Sequence, residues 1–279
     1  MGSDTADATE PGRGRAPAAS PRTPVVLLHG FTQTGACLGP LARDLATDRT
    51  VLTPDLPGHG AAANDADADL WGAAELVTAA IDVLRTDTTV ATPVDSPVDV
   101  IGYSMGGRVA LHLWAAHPER IRRIVTIGAT AGIDDEAERR ERRARDHELA
   151  DRIDRIGVDA FLTEWLALPM FAALPDWARF DRERGRNTAA GLAGSLRHAG
   201  TGSMEPLWDR LAADERLASI PLLALAGGDD VRFAALADRL ADTVPGPARS
   251  ERLAGAGHAA HLEQPDAAIA LIRSHLDPT

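Results

Sequence analysis

The stretch PVDVIGYSMGGRVALHLWAAHP, residues 97–118, is the one whose reading decides the fold. PVDVIGY reads as a buried strand and MGGRVALHLWAAHP as a helix that closes at Pro118. Between them Ser104 stands in a G-x-S-x-G arrangement with Gly102 and Gly106. Strand, serine and helix in that order form the context of a nucleophile elbow, a turn so sharp that the flanking positions have no room for side chains. The plain alternative for Ser104 is a helix N-cap. Arg108 follows one helical turn later and can face the same space as Ser104. A fixed cation there suits an anion better than a neutral ester. Its plain alternative is an ordinary helix arginine.

Outward from this stretch, strands and helices alternate. PVVLLHG (24–30) reads as a strand, CLGPLARDLA as a helix, TVLTPD as a strand and LWGAAELVTAAIDVLR as a helix; IRRIVTIGAT reads as the strand after the elbow helix. Such alternation predicts an α/β fold with a mostly parallel sheet covered by helices on both faces. From 132 to 216 the rhythm breaks into amphipathic helical segments, beginning with DDEAERRERRARDHELADRIDR, whose alternating charges suit a solvated helix face. The alternation resumes with IPLLALAGGDD (220–230), a helix near 231–243, SERLAGAGH as the last strand and a helix over 266–276. The expected organisation is a core of residues 23–131 and 217–279, with 132–216 as a helical lid over the C-terminal ends of the strands. Residues 1–22, rich in Ala, Gly, Pro and Ser, are expected to be disordered.

Composition narrows the function classes. The 279 residues suffice for one large domain, and their 44% hydrophobic and 25% charged content is that of an ordinary globular chain. No run approaches the length of a membrane span and no hydrophobic signal core opens the chain, so a cytoplasmic location is expected. A net charge of -12 argues against nucleic acid or a membrane surface as a partner, and a monomer or weak homo-oligomer is expected. The lone Cys37 excludes an internal disulfide framework. All 29 basic residues are arginine, so any one arginine carries little weight alone. The histidines and carboxylates show no metal-ligand spacing and no glycine-rich phosphate loop is present, so neither metal nor cofactor is expected.

A serine becomes a useful nucleophile or base only beside an imidazole that a carboxylate orients. In an α/β chain with this elbow, acid and histidine follow the serine in that order. Asp230 ends the strand PLLALAGG, and His258 follows the glycine-rich end of the last strand. Asp229 competes as the acid, though the G-x-x-D spacing from Gly227 favours Asp230. His261 competes as the base and reads more simply as a surface histidine. The backbone N–H groups of Phe31, in HGF, and Met105 are the candidate oxyanion-hole donors. His29 and His59 read as structural, and His112, His117, His147, His198 and His275 as packed or surface residues.

Together LHGFTQTG, PDLPGHG, GYSMGG, GGDD and GAGH resemble the α/β-hydrolase superfamily across residues 24–276. More specifically, GYSMGGR, ERRERRARD (138–146), FLTEWLALPMF (161–171), SLRHAGTGSMEPLW (195–208) and LAGGDDVRFAALADRL resemble the 2-succinyl-6-hydroxy-2,4-cyclohexadiene-1-carboxylate synthases of menaquinone biosynthesis. Leu166 stands where that family usually has tyrosine, and Met204–Glu205–Pro206 where it has Gln-Pro-Ser.

The resemblance implies a lyase that eliminates pyruvate from 2-succinyl-5-enolpyruvyl-6-hydroxy-3-cyclohexene-1-carboxylate, a small polycarboxylate. It further implies that Arg108, Arg142 and Arg184 meet carboxylates and that Tyr103 and Trp165 line the pocket. Ser104, activated by His258 and Asp230, would act as a base. The alternative is a serine carboxylesterase or C–C bond hydrolase working through an acyl-enzyme, and a third class is a catalytically silent binding protein.

Overall fold

A computed structural model describes residues 22–86 and 97–278. Most of the segment expected to be disordered, 1–21, lies outside the described residues, but Arg22 opens the first strand and pairs with Arg49. The sheet is built from β1 (Arg22–Leu28), β2 (Arg49–Leu52), β3 (Val98–Tyr103), β4 (Ile121–Ile127), β5 (Leu222–Gly227) and β6 (Ala248–Leu253). Their spatial order is β2-β1-β3-β4-β5-β6, and every neighbouring pair runs parallel. The strand order reverses between β1 and β3, the kind of point at which open parallel sheets bind ligands.

Alternation along the strands divides the core into two layers. Val26, Leu28, Val98 and Val100 face α2 (Leu70–Thr86), α3 (Met105–Ala116) and α8 (Val231–Thr243). Val25, Leu27, Ile101 and Tyr103 face α1 (Gly39–Leu45) and α10 (Pro265–Leu276). The one carboxylate buried in β3, Asp99, takes two hydrogen bonds from Arg122, at 2.9 and 2.6 Å. A charge inside an otherwise apolar strand requires such a partner.

Between β4 and β5 the described residues hold only helices and turns. These are α4 (Glu136–Leu166), α5 (Asp181–Arg184), α6 (Ala189–Ala199) and α7 (Trp208–Ala213), with short 3-10 turns. α4 packs on α6 through Ala150, Ile153 and Phe161 against Leu192, Ala193 and Leu196. Gly157, with φ 76° and ψ 173°, breaks α4 into two helices, a conformation open essentially to glycine alone. The last strand is shorter than SERLAGAGH suggests. It ends at Leu253, and Gly255 at φ 70° turns the chain toward His258 before α9 (Ala260–Glu263).

Helix and sheet come into backbone contact at the elbow. A Cβ on Gly106 would stand 2.2 Å from the Leu28 carbonyl oxygen and 2.7 Å from that of His29. Both obstacles are backbone, so Gly106→Ala must push α3 off the end of β1. Overpacking of this kind is expected to cost about 3 kcal/mol, read as a lowered midpoint in urea unfolding together with lost activity. An unchanged midpoint would contradict the close docking.

Candidate active site

β3 and α3 meet at Ser104 with almost no connecting chain. Ser104 has φ 51° and ψ -108°, a region a non-glycine residue enters only under constraint. Its N–H donates to the Ile127 carbonyl at 2.8 Å, which ties the turn to β4. The flanking glycines are required by contact: a Cβ on Gly102 would lie 2.3 Å from the Gly106 carbonyl oxygen. The serine side chain is thereby held out at the C-terminal edge of the sheet.

Two other strand ends converge on it. His258 Nε2 lies 3.0 Å from Ser104 Oγ, and His258 Nδ1 lies 2.8 Å from Asp230 Oδ2. The structure thus brings the carboxylate of Asp230 rather than that of Asp229 to the imidazole. Asp230 Oδ1 also accepts from the Phe233 N–H at 3.3 Å, capping α8, so the carboxylate is held from both sides. Phe233 packs on the His258 ring, with centroids 4.5 Å apart.

Glu263 was not legible as part of the site. Its carboxylate accepts from the N–H groups of Gly257 and Ala259, at 2.5 and 3.0 Å, and so fixes the loop on both sides of His258. Its signal in the sequence was an acid five residues past the histidine, which is too common a spacing to single out.

The loop after β1 is fixed by buried polar groups. His29 Nδ1 donates to the Gly30 carbonyl while its Nε2 accepts from the Leu56 N–H, both at 2.9 Å. His59 does the same between the Pro57 carbonyl and the Thr32 N–H. Both therefore hold backbone, as expected. Phe31 follows this anchor, and its N–H has no intramolecular acceptor among the described residues. Met105 is the first residue of α3, where the amide has no partner within the helix.

Next to these groups opens a cavity of about 880 Å³. Ser104, His258, Tyr103, Arg108, Arg142 and Trp165 all line it. Arg108 is buried and donates to the Ala199 carbonyl at the end of α6. Burial, and secondarily Arg142 nearby, lowers its pKa to about 10, with Asp146 opposing, so the guanidinium stays charged at neutral pH. Arg142 is braced at Nε by Asp146 at 2.8 Å. Trp165 stands edge-on to Phe31, with centroids 5.3 Å apart.

Two residues lie elsewhere than the sequence suggested. Arg184 does not line the cavity. It is buried behind the β1 loop, donating to the Thr32 hydroxyl and to the Arg179 carbonyl, where it braces the segment carrying Phe31. The RERGRN run offers three arginines, and only the packing of α5 selects which one turns inward. His261 is not on the surface: the short α9 folds it beneath Tyr103, with ring centroids 4.4 Å apart. Neither of its ring nitrogens has a hydrogen-bond partner among the described residues.

Burial keeps several histidines neutral. It lowers the pKa of His29, His112 and His275 to about 4 and that of His59 and His261 to about 3. An unfolded imidazole titrates near 6.5, so as pH falls below that value the unfolded chain takes up protons that the folded chain does not. Asp99 acts in the opposite sense. Burial, against its arginines, raises it to about 6, so the fold gains from its protonation between about pH 6 and the usual carboxylate range. One carboxyl offsets only part of the effect of these histidines. Stability is expected to drop on the order of 5 kcal/mol between pH 7 and pH 5, measured by urea unfolding across that range. A flat profile would contradict buried neutral imidazoles.

Among the described residues no group of three or more His, Cys, Asp or Glu could hold a metal ion, and no helix is long and apolar enough to cross a membrane.

The sequence pattern of the alpha/beta hydrolase family matches residues 25–271. A putative 2-succinyl-6-hydroxy-2,4-cyclohexadiene-1-carboxylate synthase of Bacillus subtilis (strain 168) is 35% identical over 250 residues, 86% of this chain and 85% of that protein. The synthase of the same name from Enterobacter sp. (strain 638) is 30% identical over 262 residues, 93% of this chain and 94% of that one. Among solved structures, MenH from S. aureus superposes with a TM-score of 0.81 at 28% identity, covering 92% of this chain and 94% of that one. A thermophilic esterase from Thermogutta terrifontis superposes with a TM-score of 0.74 over 91% of this chain and 89% of that one; at 21% identity it shares the fold alone.

Proposed function

The chain belongs to the α/β-hydrolase family and, within it, to the 2-succinyl-6-hydroxy-2,4-cyclohexadiene-1-carboxylate synthases, and we propose on that premise how its residues divide the work. The enzyme is a carbon–oxygen lyase. It eliminates pyruvate from 2-succinyl-5-enolpyruvyl-6-hydroxy-3-cyclohexene-1-carboxylate in menaquinone biosynthesis.

The observation that carries this reading is Arg108, a buried cation one helical turn from Ser104 and open to the same cavity. Burying a guanidinium is costly, and a site for a neutral ester gains nothing from it. A polycarboxylate substrate does gain, because a planar guanidinium fork binds a carboxylate through two parallel hydrogen bonds. Arg142, which reaches the cavity from α4, supplies a second such group.

Catalysis begins at Ser104. His258 Nε2 accepts the hydroxyl proton, and Asp230 holds the imidazole in the tautomer able to do so. Ser104 Oγ then takes the ring proton next to the succinyl carbonyl. The electron pair of that C–H bond forms the carbon–carbon double bond of the enolate as the carbonyl π pair moves onto oxygen, where the N–H groups of Phe31 and Met105 stabilise the negative charge. As the enolate collapses, its electron pair forms the C2–C3 double bond, the existing C3–C4 double bond shifts to C4–C5, and the C5–O bond to the enolpyruvyl group breaks, which leaves the 2,4-diene. The departing enolpyruvate takes up a proton and tautomerises to pyruvate. No acyl-enzyme forms. Positioned proton transfer contributes about 10²–10⁴-fold, so the oxyanion donors and the arginines that orient the substrate supply the remainder. Tyr103 and Trp165 wall the cavity, and the helical segment 132–216 acts as a lid that keeps water from the enolate.

The purified protein mixed with the enolpyruvyl substrate is expected to release pyruvate, coupled to lactate dehydrogenase for readout, and Ser104→Ala to lower kcat by at least about 10³-fold. Absence of release together with fast hydrolysis of nitrophenyl esters would instead establish a carboxylesterase working through an acyl-serine. Arg108→Gln is expected to raise KM by about 10- to 100-fold, the size of a lost charge-assisted pair of about 1.5–3 kcal/mol. An unchanged KM would remove Arg108 from substrate binding.

A further inference from the structure

The substrate proposed above carries three carboxylates: on the succinyl arm, on the enolpyruvyl group and on the ring. Arg184 is buried behind the β1 loop and is not available to one of them. Among the described residues, the arginines that line the cavity are Arg108, Arg142, Arg232 and Arg239. Arg239 is already engaged twice, 2.6 Å from Asp134 and 3.8 Å above the Trp208 ring. Arg232 differs. Its nearest carboxylate oxygen, on Glu138, is 3.8 Å away, beyond hydrogen-bond reach, and its side chain donates no hydrogen bond among the described residues.

Arg232 stands in the first turn of α8 and Glu138 in the first turn of α4, side by side in the solvent-exposed part of the cavity lining. The other carboxylates lining that wall are occupied. Asp134 pairs with Arg239, Asp135 caps the Glu138 N–H at 2.8 Å, and Asp230 holds His258. Arg232 and Glu138 are each more than half exposed, and an ion pair so solvated and so loose is weak.

We propose that Arg232 is a specificity-determining residue that binds one carboxylate of the substrate at the cavity mouth, with Glu138 as the internal acid that this carboxylate displaces. The inference rests on the polycarboxylate reading of the cavity. A substrate carboxylate can meet the guanidinium at hydrogen-bond distance through both of its oxygens, which Glu138 does not do. In a chain of net charge -12, a cation at the mouth also draws a polyanion inward against the overall field.

Two substitutions separate this role from that of a simple clasp between α4 and α8. Breaking a clasp from either side has the same consequence, so Arg232→Gln and Glu138→Gln would then shift KM in the same direction. A carboxylate receptor with an internal competitor gives opposite shifts. For pyruvate release, Arg232→Gln is expected to raise KM about ten-fold with kcat within two-fold of wild type, Arg232→Lys to recover part of the loss, and Glu138→Gln to lower KM about two-fold. Release by the wild type with an unchanged KM in Arg232→Gln, or shifts of the same sign in both Gln variants, overturns the inference and leaves the lyase intact. Absence of release by the wild type overturns the lyase reading alone, and calorimetric titration with tricarballylate, a small tricarboxylate, then decides Arg232. Weaker binding by Arg232→Gln supports the receptor; equal affinities, or no binding by the wild type, overturn it.

Discussion

α3 approaches the sheet at Gly106 so closely that a single added carbon would lie 2.2 Å from the Leu28 carbonyl oxygen, and the geometry of the site depends on that contact. With the helix pressed against the end of β1, the chain has no length left for a relaxed turn after β3. Ser104 therefore takes φ 51°, and the hydrogen bond from its N–H to Ile127 holds it there. The same docking brings the first-turn amide of α3 and the loop carrying Phe31 to one end of the sheet. Local strain of about 1–3 kcal/mol at one serine is tolerable because the surrounding core leaves the chain no alternative.

The polar groups around the site are held in place from outside it. His258 is bound by Asp230, which is itself fixed at the cap of α8, while Glu263 grips the backbone on both sides of the imidazole. The β1 loop is secured by His29, His59 and Arg184, whose bonds all go to backbone or to Thr32 and Arg179. None of these residues needs to touch a substrate to matter. An oxyanion donor is effective only if it is already in position when charge develops, and these side chains keep the loop from adjusting.

Charge is distributed with a similar economy. The chain is acidic overall, and the cavity next to the serine is lined by four arginines interleaved with the carboxylates of Asp134, Asp135, Glu138 and Asp230, each arginine related differently to its neighbours. Arg108 is satisfied by a helix-terminal carbonyl, Arg142 by Asp146 and Arg239 by Asp134 and Trp208. An anionic ligand thus meets cations that are oriented before it arrives, at a cost borne during folding.

Much of the fold was legible because its signals are local. Alternating strands and helices announce a parallel sheet, and glycines at 102 and 106 around a serine announce a turn that excludes side chains. Asp230 and His258 could be singled out because each follows a strand end, and in a parallel sheet those ends share one edge. The misplacements have a common origin. His261 was expected at the surface, but four residues of α9 turn it under Tyr103. Arg184 was expected in the cavity, but α5 turns it behind the loop. What the sequence determined by itself was backbone: where the chain must turn, which steps exclude a Cβ, and which edge of the sheet carries chemistry. Among 29 chemically identical arginines the sequence pointed to Arg108 and Arg142, which do line the cavity, but that Arg232 and Arg239 join them while Arg184 turns away was decided by tertiary structure, because the direction of a side chain is set by the helices packed around it.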